Sequence, residues 1–107
     1  MVMFKKNLFL TRGIDECLPK SIQYLLWSLL FENKDNEILD YLQIFELSYD
    51  KNSNQLKVIW RQEEPEFEKI LYFKDVESLD NEMKVWVICT APDTEEEYST
   101  MLLPEEY

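Results

Sequence analysis

Carboxylates and thiols are the groups in this chain with chemistry to offer. In QEEPEFE, Glu63, Glu64, Glu66 and Glu68 flank Pro65. Two carboxyls held across a cleft can share the acid and base roles of glycoside hydrolysis. Acids clustered around a turn are more ordinarily a solvated edge. In PDTEEE, Asp93, Glu95, Glu96 and Glu97 carry oxygen donors suited to Ca²⁺, but the EF-hand spacing and its glycine are missing. Cys17 and Cys89 sit in apolar stretches, where a free thiol acts as a small hydrophobe rather than a redox centre.

The exclusions are sharper. The chain has no histidine, which removes the commonest general base and metal ligand and every Ser-His-Asp or Cys-His site. A single glycine, Gly13, permits neither a P-loop nor a G-x-G-x-x-G turn. There is no C-x-x-C pair for a zinc ribbon or a thioredoxin-like centre. The expectation is a protein that is not an enzyme and needs no cofactor and no metal.

Charge bounds the partners. The 107 residues carry a formal net charge of −11. Residues 1–60 hold 7 basic and 8 acidic groups, whereas residues 61–107 hold 4 basic and 14 acidic. Such a field repels phosphate backbones and anionic lipid, so direct nucleic-acid binding and membrane binding are not expected. A protein partner with a basic surface is allowed, although acidity also serves solubility alone. The candidate acidic surface comprises Glu63, Glu64, Glu66, Glu68, Asp75, Glu77, Asp80, Glu82, Asp93, Glu95, Glu96 and Glu97. Gathered on one side, these acids would imitate the phosphates of DNA. No signal peptide and no apolar stretch near the ~20 residues of a membrane span are visible. The expected compartment is the cytoplasm.

These groups need elements to hold them. NLFLTR, residues 7–12, reads as a short strand with Leu8 and Leu10 on one side. Gly13 marks a backbone position that a Cβ would strain, Asp15 suits the cap of a helical turn through Leu18, and Pro19 suits the first position of a longer helix. In that helix Ile22, Leu25, Leu26, Leu29 and Leu30 share a face that Tyr24, Trp27 and Phe31 widen. Lys20, Gln23, Ser28 and Glu32 are left for water, and Asn33–Glu37 ends the helix. DYLQIFELSY is apolar on both faces, which predicts a central strand covered at least partly on both sides. QLKVIWRQ, EFEKILYFK and MKVWVICT alternate as further strands, separated by the turn chemistry of DKNSN and EEPE and by an acidic segment over 75–82. Trp27, Trp60 and Trp86 read as core. The spacing predicts one domain over 1–107, of α+β class: a main amphipathic helix packed on an antiparallel sheet of five or six strands. Strand order beyond the hairpins is open.

The C-terminal DTEEEYSTMLLPEEY mixes acids with Met101, Leu102 and Leu103. Leaving that triplet in water would cost roughly 25 cal/mol per Å². Tyr98–Leu103 is therefore expected to be a docked strand ended by Pro104. Arg12, Tyr98, Glu105, Glu106 and Tyr107 then form a candidate interaction rim, with Arg12 in bidentate reach of Glu105 or Glu106.

The stretches LTRGI, LPKSIQYLLW, DYLQIFELS, QEEPEF and YSTMLLPEEY resemble a small bacterial family known only as domain of unknown function 960. The resemblance runs in order from Leu8 to Tyr107, except over Lys51–Lys57 and Asp75–Glu82. It implies a single-domain α+β protein with no assigned activity, in a family some of whose members lie on mobile elements and prophages. It transfers no site residue. Three functions follow as expectations. The first is a non-enzymatic protein-interaction domain that uses a sheet face or the C-terminal rim. The second is a DNA-mimicking inhibitor of a nucleic-acid-processing or defence enzyme. The third is a small-molecule binder or carboxylate enzyme, which needs a concave apolar pocket holding a carboxyl of raised pKa. Oligomeric state is left open.

Overall fold

Strict alternation dominates this chain, and a sheet dominates its structure. A computed structural model describes residues 3–107. The strands are β1 (Leu8–Leu10), β2 (Leu42–Asp50), β3 (Gln55–Glu63), β4 (Glu66–Phe73), β5 (Met83–Thr90) and β6 (Tyr98–Leu102). A short helix α1 (Arg12–Cys17), a main helix α2 (Lys20–Glu32) and a 3-10 turn (Pro104–Glu106) complete the chain. The six strands form one sheet in the order β1-β6-β5-β2-β3-β4. Tight turns join β2 to β3 and β3 to β4, which forces antiparallel pairing. The sheet is nonetheless mixed, which corrects the antiparallel expectation. β1 runs parallel to β6, with Leu8 opposite Ser99 and Leu10 opposite Met101. Both helices and a long loop follow β1, so no hairpin dictates its direction.

The helix starts differ from those expected. Thr11, not Asp15, caps α1, its Oγ1 accepting from the Ile14 N–H at 3.3 Å. Pro19 is the N-cap of α2 rather than its first residue. Asn33 ends α2 in the left-handed region at φ 38°, and its amide exchanges hydrogen bonds with the backbone of Glu37. The buried face of α2 is Ile22, Gln23, Leu26, Trp27 and Leu30. Gln23 was expected in water, but its Nε2 donates to the Leu18 carbonyl at 2.7 Å. That bond permits burial of an amide. Tyr24 and Phe31 are exposed instead. Ile22, Leu26, Trp27 and Leu30 belong to the same apolar cluster as Phe45 and Leu47 of β2, Leu56, Val58 and Trp60 of β3, Val85 and Val87 of β5, and Met101 of β6.

β2 is interior, as expected, but its two faces differ. Phe45 and Leu47 are buried, whereas Leu42 and Ile44 are only half-buried among their cross-strand neighbours. Sharing the buried parity are two glutamines, Gln43 and Gln62. Gln43 Oε1 accepts from Trp60 Nε1 at 2.6 Å, and Gln43 Nε2 donates to Gln62 Oε1 at 2.8 Å. Gln62 Nε2 donates in turn to the carbonyls of Ile38 and Pro65. The network satisfies a buried indole and ties the 33–41 loop to the β3–β4 turn. Among the described residues no helix is long and apolar enough to cross a membrane.

Candidate interaction surface

The sheet has one face toward the apolar cluster and one toward solvent. Successive residues of a strand point to opposite sides, so the open face can be read across the registers. One row is Leu102, Trp86, Ile44, Arg61 and Glu68. The next is Lys84, Glu46, Ile59 and Ile70. Phe9, Thr100, Ile88 and Leu42 lie toward one end, and Ser48, Lys57 and Tyr72 toward the other. Ile70 is 50% and Tyr72 58% exposed. Polar groups are threaded through this surface. Arg61 is paired with Glu46, and its Nε lies 3.0 Å from Glu68 Oε1. The result is a broad mixed face, with apolar side chains in every row and an ion triad bracing its middle.

The C-terminal rim comes together only in part. Glu106 is the anchored member. Its Oε1 accepts from Thr11 Oγ1 at 2.6 Å and from the Leu103 N–H at 2.9 Å. Its Oε2 accepts from the Gly13 N–H at 3.1 Å. Hydrogen bonding, first from Thr11, holds the Glu106 carboxyl below its ordinary pKa. Arg12 does not pair with Glu105 or Glu106, a correction. It lies within α1 and its Nε binds Glu16 at 2.8 Å, one helical turn on. Tyr107 stacks edge-on against Trp86, centroids 5.8 Å apart. Tyr98 stands at the opposite end of β6 from Glu105 and packs against Phe9 at 5.9 Å. No single rim joins these residues.

The acidic candidates are also divided. Alternating strand direction puts the Glu63–Glu68 turn and the 91–97 loop at one end of the sheet, and the 75–82 loop at the other. At the first end, β5 and β6 are separated from β3 and β4 by β2. Glu63, Glu64, Glu66 and Glu68 are exposed, and so are Asp75, Glu77, Asp80 and Glu82. Asp93, Glu95 and Glu96 are exposed as well, but Glu97 is buried. Its Oε1 accepts from the Asp93 N–H at 2.9 Å and closes the turn. One continuous anionic surface does not form, and among the described residues no three His, Cys, Asp or Glu side chains are grouped to hold a metal ion.

Of the thiols, Cys89 is buried as expected and burial raises its pKa. Cys17 is exposed at the end of α1, a correction. A concavity of about 850 Å³ runs past Cys17, Leu79, Met83 and Leu103. The carboxyls of Asp35, Asp50 and Glu106 shift downward, opposite to what a proton-holding catalytic acid requires.

Residues 7–106 match the family described as "Staphylococcal protein of unknown function (DUF960)". The chain belongs to the DUF960 family. The match spans every strand and both helices. No match is found among curated proteins. A crystal structure of a protein of unknown function from Enterococcus faecalis has the same fold, with a TM-score of 0.75 and 19% identity over 100% of this chain and 97% of that one. At that identity the likeness speaks for the fold alone. For this DUF960 chain, the groups missed in the sequence are Gln43 and Gln62; Glu106 was a candidate, but its partners are Thr11, Gly13 and Leu103. The parity that Gln43 shares with Phe45, and Gln62 with Trp60, was the available signal.

Proposed function

We propose that this chain is a non-enzymatic, cytoplasmic protein-interaction domain that docks a partner on the open face of its sheet. The observation that supports this most is the apolar content of that face: Leu42, Ile44, Ile59, Ile70, Tyr72, Trp86 and Ile88 all point to the side opposite the buried cluster. A sheet face that served only solubility would be polar throughout, and an exposed face that keeps this many apolar side chains among its charges is characteristic of interaction sites. Acids flank both ends of the strands, and the net charge is −11. The fitting partner is therefore a protein with an apolar patch ringed by basic residues. The lack of histidine and of any phosphate loop supports a non-catalytic role. A phosphate-mimicking inhibitor gains no support from acids divided between opposite ends.

A photo-crosslinking residue in place of Ile59 probes the face directly, with one in place of Tyr24 on the exposed side of α2 as control. The expected result is one recurrent protein adduct from the Ile59 position, absent from the Tyr24 position and reduced as salt rises. No adduct, or equal adducts from both positions, overturns the reading.

A further inference from the structure

We propose that two copies of this chain pair edge to edge through β4, antiparallel about Ile70, joining their sheets into one. The sheet has two edges, and they are unequal. β1 is three residues long, whereas β4 runs for eight, Glu66–Phe73, with no strand beyond it among the described residues. An edge of that length presents a row of unpaired backbone groups.

Which backbone groups are free follows from the ladder. The Cys89 N–H donates to the Tyr41 carbonyl at 2.8 Å, so the odd residues of β5 face β2. Alternation carried through the registers turns the N–H and C=O of Phe67, Lys69, Leu71 and Phe73 toward β3. Those of Glu66, Glu68, Ile70 and Tyr72 are left facing outward. A two-fold axis through Ile70 makes that residue bond its own copy, with Glu68 bonded across to Tyr72.

The side chains agree with this register. On the open face Ile70 meets Ile70, and Glu66 stands opposite Lys74 at each end. On the other face Phe67 stands opposite Phe73, and Lys69 opposite Leu71. Centring the pairing on Lys69 instead would oppose two ammonium groups, which costs stability. Centring it on Leu71 would oppose Phe67 and Asp75, and Asp75 already leaves the strand at φ 61°.

A lysine pointing inward on an edge strand commonly blocks such pairing, because pairing would bury its charge. Lys69 is on that side, but its charge is already housed. Its Nζ lies 2.7 Å from Asp35 Oδ2 and 5.2 Å from the centre of the Trp60 ring. That contact and the resulting ion pair hold the Asp35 carboxyl below its usual pKa. The block is therefore disarmed within one chain. The axis stands normal to the sheet, so the two open faces lie on the same side and together present a double docking surface.

Sedimentation of the isolated chain over a range of concentrations tests the pairing without any partner, so its failure leaves the sheet-face reading standing. The expected result is a monomer–dimer equilibrium. Ile70→Pro removes a donor that faces only the second copy, and β4 tolerates it as an edge strand; the variant is expected to be a folded monomer by circular dichroism. Lys74→Glu opposes carboxylates at both ends and is expected to weaken the dimer about tenfold. Adding Glu66→Lys restores the charge pair and the net charge of −11, and with them the wild-type association. A chain that stays monomeric at the highest soluble concentration overturns the proposal. A dimer unaffected by Ile70→Pro, or a double variant no tighter than Lys74→Glu, overturns it equally.

Discussion

Gly13 is kept free of a side chain by a carboxylate, not by its own backbone. Its φ is not positive, so an alanine there would suffer no strain and would even favour the helix by up to about 1 kcal/mol. A Cβ at Gly13, however, would stand 2.6 Å from Glu106 Oε2. Gly13→Ala must therefore push the carboxylate off the start of α1. Because Glu106 is held below its ordinary pKa, its contribution is present above the unfolded value and is lost as pH falls through the lower folded value. An NMR titration of the Glu106 side chain should show a depressed pKa in the wild type and an ordinary one in Gly13→Ala. An unchanged titration would mean that the carboxylate has another anchor.

At the scale of elements, β6 is the piece on which the C-terminus depends. β5 flanks it antiparallel and β1 parallel, so no edge of it is free. The Ser99 N–H donates to the Asn7 carbonyl at 3.1 Å and the Thr11 N–H to the Met101 carbonyl at 3.0 Å. Met101 is fully buried within the apolar cluster. Truncating a buried Met to Ala costs about 2–5 kcal/mol through lost transfer energy and the cavity left behind. Met101→Ala should lower the urea midpoint accordingly, with the slope unchanged. In the wild type the Ser99 and Thr11 amides should exchange as slowly as those of β2. The apolar Met101-Leu102-Leu103 beside acids showed this strand in advance. Its parallel neighbour was not visible, because β1 and β6 lie at opposite ends of the chain and no local pattern couples them.

Across the whole molecule, two identical groups meet opposite fates. Cys17 lies exposed at the end of α1, and Cys89 is buried in β5 within the apolar cluster. Burial raises the Cys89 thiol pKa and the nearby Glu97 charge adds to the shift, so little reactive thiolate exists there. With a thiol reagent at neutral pH, Cys17 should label at once. Cys89 should label only as fast as the native state opens, and at once in denaturant. Rapid native labelling of both would show that the β5–β6 region opens far below the global stability.

Local patterning was enough for the elements: the long helix from its 3.6-residue spacing, the strands from their period of two, and the docked triplet Met101–Leu103 from its apolarity beside acids. Composition also excluded histidine chemistry and phosphate loops, since absent residues cannot act. Tertiary structure alone decided what depends on register over long separations. It turned β1 parallel to β6, gave Glu106 to Thr11 and Gly13 instead of Arg12, and buried Gln23, Gln43, Gln62 and Glu97 by supplying each a hydrogen-bond partner. Because consecutive strands reverse direction, it sent neighbouring acidic turns to opposite ends of the sheet. Composition counts charges, but only chain direction decides where they meet.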